Sequence, residues 1–344
     1  MNFRLFNRYY GLLARSRYGL DIAPRAMLNY LAYTIRPYPV ILTENYSFPI
    51  LSIYVTKRCN LHCKFCHADK IKENSQKDEF ELTPSQYEKI LKHPLVKNTL
   101  VSFFCGGEPL LNNDIEELIK LSKKNGKIPT LATNAILLGR QWDMLLKAGI
   151  ADIQISINDS TMDIIGKDIK HINEEMPLNA SYVLLRSDFE KNKDKLENIV
   201  NFAGESGFKN FKFNLCVSNK HNNFLNEDLT EYNFAEYNTF KSKILKKYKN
   251  ISIYFPDIVT NNKKKNCRIS WHTLLLDAAG NFGFCCAYHP DSETGMNIFS
   301  ENWRDLINNP TFCEVRKNLL AKDDKMPDFC KGCFHLHGSY GSDI

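Results

Sequence analysis

Three cysteines lie within eight residues in "CNLHCKFC": Cys59, Cys63 and Cys66, spaced C-x3-C-x2-C. A structural zinc ion and a cubane iron–sulfur cluster each normally take four protein ligands. Three thiolates on one loop leave one coordination position open. A closed structural site has no use for such a position; a reactive site does, as catalytic zinc centres show. Zinc motifs usually pair one C-x2-4-C with a second such pair, and no second pair lies near residue 66. A second set of thiols lies far downstream: Cys267, then twelve residues to Gly280, four more to Cys285, and later the pair Cys330 and Cys333.

On these residues the chain resembles the radical S-adenosylmethionine superfamily, whose hallmark is C-x3-C-x2-C with an aromatic residue before the last cysteine, here Phe65. The resemblance implies a [4Fe-4S] cluster on Cys59, Cys63 and Cys66, with the amino and carboxylate groups of S-adenosylmethionine on the open iron. It extends to "FFCGGEPLL", where Gly106, Gly107, Glu108 and Pro109 match the turn that meets the methionine ammonium group in that family. The physical sense is that glycines admit close backbone approach, and a carboxyl or carbonyl oxygen suits an ammonium. Asn134 in "ATNA", and Ser156 and Asn158 in "QISIND", stand where relatives hold the cofactor with polar side chains. Read without the family, a polar residue at a strand end is simply a turn former. The resemblance covers residues 50–255 in order and spacing.

The C-terminal thiols resemble the C-x9-15-G-x4-C opening of the twitch and SPASM extensions of the same superfamily. That implies one auxiliary [4Fe-4S] cluster on Cys267, Cys285, Cys330 and Cys333, of twitch type because no further cysteines follow. A structural zinc ribbon on the same four cysteines shares this spacing. Cys286 adjoins a cluster ligand where related sulfatase-maturing enzymes carry an acidic base, so that role does not transfer. As a thiol, it is instead a candidate hydrogen-atom donor. Cys105, Cys216 and Cys313 read as small hydrophobes, His67, His335 and His337 carry no assigned role, and Asp277, Asp291 and Arg186 are undistinguished candidates for a catalytic base.

Elements that would position these groups are legible in the pattern. "LSIYV" is a strand that delivers the chain to the cysteine loop. "DEFELTPSQYEKILKH" has Thr83 as N-cap and Pro84 at the first helical position. Strand-like and helical runs then alternate: "TLVSFF", "NDIEELIKLSKKNG", "IPTLAT", "RQWDMLLKAGI", "ADIQISI" and on to "ISIYF". About six β-α units in a row predict a parallel sheet with helices outside. The expected fold is α/β: a partial (β/α)6 barrel over 49–257, with active-site groups at the strands' C-terminal ends. A helical, basic segment over 1–48 precedes it. A small cluster-binding unit with a β-hairpin, "LLLDAAGNFGFCC", follows over 258–344, after the polar stretch "DIVTNNKKKNC".

Composition narrows the rest. The 344 residues are 43% hydrophobic and 24% charged, ordinary for a soluble globular protein. Arginines at 4, 8, 15 and 17 interrupt the opening residues, so no signal-peptide core is expected, and clustered thiols then read as metal ligands before disulfides. The formal net charge is +6, and residues 1–40 carry six arginines against one acid, Asp21. The near-neutral remainder argues against a nucleic-acid-binding body. The basic head suits a cytoplasmic location with peripheral membrane contact, or a helix that keeps its arginines in water.

The family implies that an electron from an external flavodoxin- or ferredoxin-type donor cleaves S-adenosylmethionine to a 5′-deoxyadenosyl radical, which takes hydrogen from a substrate C–H bond. An auxiliary cluster would accept an electron, making the net reaction an oxidation; a thiol returning hydrogen would make it an epimerisation. A sugar, cyclitol or glycolipid alcohol is the favoured substrate class, with a ribosomally made peptide as the alternative. The competing reading is a non-catalytic zinc-stabilised binding protein.

Overall fold

The structure is a computed structural model. It describes residues 38–44, 46–63, 65–66, 81–176, 178–191, 193–216, 227, 229, 234–256, 267–285, 288, 290, 296–322, 325–327 and 330. Strands and longer helices alternate in its first half: β1 (Ile50–Tyr54), α1 (Pro84–Lys92), β2 (Val101–Cys105), α2 (Ile115–Lys124), β3 (Ile128–Thr133), α3 (Leu138–Ala148) and β4 (Asp152–Ser156). The rhythm continues through α4 (Asp159–Glu175), β5 (Asn179–Leu184), α5 (Lys193–Glu205), β6 (Asn210–Leu215), α6 (Phe234–Lys247) and β7 (Ser252–Tyr254). After the segment 257–266, which lies outside the described residues along with the predicted domain boundary, come β8 (Thr273–Leu276), β9 (Phe282–Gly283) and α7 (Pro310–Ala321).

Local chemistry explains where the helices begin and end. Thr83 caps α1 through a capping box with Gln86, and Pro84 occupies the first turn, where its missing N–H costs nothing. Glu116 and Glu117 open α2 and Lys123 and Lys124 close it, both favourable to the helix dipole. Gly149, at φ 94°, ends α3 in the left-handed conformation.

The nine strands form one open sheet in the order β7-β6-β5-β4-β3-β2-β1-β8-β9. Every neighbouring pair is parallel except β8–β9. The predicted partial barrel of parallel strands is therefore present, and it is not closed. Period-two alternation separates its faces. Ile53, Phe104, Leu131, Ile153, Tyr182 and Phe213 are buried in the main core that the helices cover. A small apolar group of Leu100, Val101, Ile128 and Ala151 lies at the N-terminal ends of the strands.

The described strands of the C-terminal segment join the same sheet. β8 docks beside β1 in register, Ile50 opposite Thr273 and Ile53 opposite Leu276. The predicted hairpin is present, with Gly280 at φ 84° in its turn. Asp277 Oδ1 accepts the N–H groups of Ala279 and Asn281, each at 2.9 Å, which fixes that turn. Most of the predicted N-terminal helical segment, 1–37, lies outside the described residues. No described helix is long and apolar enough to cross a membrane.

Candidate active site

Parallel strands present all their C-terminal ends on one rim, and the groups singled out in the first half of the chain lie there. The cysteine loop follows β1, the Gly106–Pro109 turn follows β2, Asn134 follows β3, Ser156 ends β4, and Asn158 follows it as the N-cap of α4. Cys59, Cys63 and Cys66 are each half-buried on the loop, as is Phe65 beside them. The Cys66 N–H donates to the Cys63 carbonyl at 2.9 Å, so the last two cysteines share a turn.

The first leg of the loop is clamped from several sides. Asn112 Nδ2 donates to the carbonyls of Val55 at 2.8 Å and Leu82 at 3.2 Å. Arg58 donates through Nε to Glu81 at 2.8 Å and through Nη2 to the Leu111 carbonyl at 2.5 Å, while the Thr56 hydroxyl also donates to Glu81. The Gly106–Gly107 turn then packs directly on this leg. Both glycines have positive φ, 80° and 54°. A Cβ at Gly107 would lie 2.3 Å from the Arg58 carbonyl oxygen, and one at Gly106 would lie 2.6 Å from the Tyr54 ring. No side chain fits at either position. The Glu108 N–H donates to the Arg58 carbonyl at 2.7 Å and completes the join.

Glu108 itself points inward and is almost fully buried. Its carboxylate accepts the Thr133 hydroxyl at 2.7 Å, the Asn134 N–H at 2.8 Å and the Leu110 N–H at 3.1 Å. Burial holds its carboxyl above the usual carboxylate range, against the pull of these hydrogen bonds. Glu108 thus braces the turn after β3, where Ala135 adopts φ 64°. Asn134 Nδ2 in turn donates to Asn60 Oδ1 at 2.7 Å, reaching back to the cysteine loop. Asn158 Nδ2 lies 3.9 Å from Cys63 Sγ. Ser156 is exposed at the end of β4.

The inner face of β4, β5 and β6 is a polar wall. Asn179 Nδ2 donates to Asp152 Oδ1 at 2.8 Å, and Asn210 Nδ2 donates to Asn179 Oδ1 at 2.9 Å. Gln154 Nε2 donates to Ser181 at 3.3 Å, and Lys212 stands opposite Ser181 in the ladder. No sequence motif marks this wall, nor Asn60, Glu81 or Asn112. Its signal was available in "NFKFNL", where buried Phe211 and Phe213 alternate with Asn210, Lys212 and Asn214.

The remaining thiols divide. Burial pushes the Cys105 thiol up to about 12, and it engages Ser52 at 3.2 Å and the Ile53 carbonyl at 3.6 Å. Cys216 is buried and Cys313 donates to the Asn308 carbonyl at 3.1 Å. All three sit as packing residues. Cys285 is buried in the main core, and Cys267 and Cys330 are partly buried at the edge of that core. The β8–β9 register carries the chain from Leu276 and Phe282 back toward Thr273, so Cys285 returns to the end of β8 that Cys267 precedes. Cys286, Cys333, His67, His335, His337 and Asp291 lie outside the described residues. Asp277 is committed to its turn, and Arg186 pairs with Glu190 at 2.6 Å, so neither stands out as a base.

The residues present fit an iron–sulfur cluster of the three-cysteine kind. Their sulfurs share one half-buried loop, a glycine turn brings backbone against it, and an amide faces one of the thiols. Among the described residues no three His, Cys, Asp or Glu side chains converge as they would around a single metal ion. A cubane takes its thiolates at separate corners and needs no such convergence.

Comparison with known proteins gives a consistent picture. Residues 53–222 match the family model of the Radical SAM superfamily. GTP 3′,8-cyclase of Chlorobaculum tepidum is 31% identical over 123 residues, covering 35% of this chain and 36% of that protein. PqqA peptide cyclase of Bradyrhizobium diazoefficiens is 33% identical over 115 residues, covering 33% of this chain and 30% of that protein. The chain thus spans about a third of the length of these curated relatives. The crystal structure of Streptococcus suis SuiB bound to precursor peptide SuiA superposes with a TM-score of 0.63 over 91% of this chain and 73% of SuiB. At 17% identity that likeness is one of fold.

Proposed function

We propose, for a chain whose residues 53–222 belong to the radical S-adenosylmethionine superfamily, that the protein is an enzyme removing a hydrogen atom from a substrate C–H bond. The observation that carries this reading is the packing of the three-cysteine loop against the Gly106–Glu108 turn, at a join too tight for any side chain. When bound, the cluster on Cys59, Cys63 and Cys66 and its S-adenosylmethionine supply the 5′-deoxyadenosyl radical. The chain's own residues hold and shield. Thr56, Arg58, Glu81 and Asn112 fix the loop, Glu108 fixes the Asn134 turn, and exposed Ser156 faces solvent at the rim, free to meet the cofactor's polar end. The polar wall of Gln154, Ser181 and Lys212 stands on the inner face, where the substrate would lie.

For the substrate we infer a ribosomally made peptide. The match to a peptide cyclase and the SuiB-like fold over most of the chain support that class. The sugar or cyclitol alcohol that the sequence favoured has no counterpart in the names of these relatives. An auxiliary cluster on Cys267, Cys285, Cys330 and Cys333 remains part of the proposal, supported by the hairpin that returns Cys285 toward the Cys267 end of β8. So does an external flavodoxin- or ferredoxin-type electron donor.

The test is an anaerobic iron and sulfide count after reconstitution, in wild type and in a Cys59/Cys63/Cys66→Ala variant. Two clusters predict about eight irons per chain, falling to about four in the variant. Wild-type protein with dithionite should release 5′-deoxyadenosine and the variant none. Equal iron in both proteins would sink the radical reading. For the substrate class, a deuterated extract should label 5′-deoxyadenosine, and protease pretreatment should abolish the label. Labelling that survives protease would exclude a peptide.

A further inference from the structure

We propose that Asn158 is a positioning residue for the cluster, donating an N–H···S hydrogen bond to Cys63 that raises the cluster's reduction potential. This rests on the reading that Cys59, Cys63 and Cys66 hold an iron–sulfur cluster. The family resemblance puts Asn158 among the cofactor-binding polar groups of β4; the geometry turns its amide to a cluster-ligand thiol instead, with Nδ2 3.9 Å from Cys63 Sγ.

Three observations give this contact substance. First, Asn158 is held by its backbone. It is the N-cap of α4 in extended conformation, φ −145° and ψ 167°. Its N–H donates to the Thr161 hydroxyl at 3.2 Å, and its carbonyl accepts both the N–H and the hydroxyl of Thr161 at 3.0 Å. Thr161 is fully buried, so the position from which the amide reaches out is fixed. Second, the adjacent strand end grips the same loop: Asn134 Nδ2 donates to Asn60 Oδ1 at 2.7 Å, three residues before Cys63. Third, the chemistry of the pair runs one way. An amide NH2 group only donates, and a cysteine sulfur bound to iron is an acceptor.

Reduction adds a negative charge that the cluster shares with its sulfur ligands. An N–H dipole aimed at one of them stabilises the reduced form more than the oxidised form, and hydrogen bonds to sulfur are among the levers that set cluster potentials. A half-buried site strengthens the effect. Removing the donor therefore makes the cluster harder to reduce. Asn158→Asp keeps the size and the capping preference of the side chain but replaces the donor with a carboxylate.

The experiment is an EPR-monitored redox titration of reconstituted wild type, Asn158→Ala and Asn158→Asp, without S-adenosylmethionine. The relevant signal is the one missing from the Cys59/Cys63/Cys66→Ala variant. In Asn158→Ala the midpoint is expected to move negative by a roughly tenfold change in the reduction equilibrium, about 59 mV for one electron. In Asn158→Asp it should move further while the melting temperature holds. Midpoints equal to wild type in loaded variants would overturn the inference and leave Asn158 as a helix cap. If Asn158→Ala does not fold, Asn158→Asp decides alone. Wild type that loads no cluster on these cysteines removes the function reading and this inference with it.

Discussion

The carboxylate of Glu108 accepts the backbone N–H of Asn134 at 2.8 Å, joining the turn after β2 to the turn after β3. This single buried bond links two of the three strand ends that press on the cysteine loop. The Glu108 N–H reaches Arg58 on that loop, and the Asn134 side chain reaches Asn60.

Glu108→Ala should leave the Asn134 N–H and the Thr133 hydroxyl buried without their acceptor. A buried donor left unmatched costs about 1–3 kcal/mol. The expected result is a lower denaturation midpoint together with weaker S-adenosylmethionine binding, read by denaturant unfolding and calorimetry. Unchanged binding in a destabilised but folded variant would show that the Asn134 turn does not serve the cofactor.

Glu108 also predicts a pH dependence. Burial raises its carboxyl above the ordinary value of 4.5, so the folded state holds the proton more tightly than the unfolded chain. Its contribution is full below the unfolded pKa and declines as pH rises through the folded one. The stability of wild type minus that of Glu108→Gln should therefore fall as pH rises from 4. Unfolding curves across pH 4–8 check this; a difference that rises with pH contradicts it.

Gly107→Ala should disrupt the cysteine loop. The added Cβ would lie 2.3 Å from the Arg58 carbonyl oxygen at a φ of 54°. Left-handed strain alone is of order 1–3 kcal/mol for a non-glycine residue, and the overlap adds to it. The reconstituted variant should bind about four fewer irons per chain than wild type. Full loading would mean that the turn and the loop are not coupled.

The Arg58–Glu81 pair should behave differently. Its 2.8 Å contact is solvent-accessible, with Arg58 46% exposed, so a double-mutant cycle should give no more than about 1 kcal/mol, weakening with salt. Its role is to hold the loop, so Arg58→Ala should lose iron faster to a chelator while melting near wild type.

Cys105 stands beside the Gly106–Pro109 turn, yet its thiol is pushed up to about 12 by burial. Cys105→Ser should retain the wild-type iron content. In the folded protein Cys105 should resist iodoacetamide at pH 8, which peptide mass mapping can follow. Rapid alkylation there would show that β2 opens at the rim.

The three-cysteine loop, the Gly106–Pro109 turn and the alternation of strands and helices are carried by the sequence alone. Each is a local pattern: thiols at fixed spacing, glycines where φ turns positive, and apolar periods of two and 3.6. The Thr83 cap and the hairpin at Gly280 are readable for the same reason. What the tertiary structure decided is which groups meet. Asn134 pairs with Asn60 across 74 residues and Asn158 faces Cys63 across 95. β8 lies beside β1 although more than two hundred residues separate them in the chain. Glu108 turned inward to Thr133 and Asn134. Such partnerships depend on strand register and on where one rim brings separate turns together. A side chain's hydrogen-bonding capacity is written in its own residue, but its partner is chosen only when the sheet has formed.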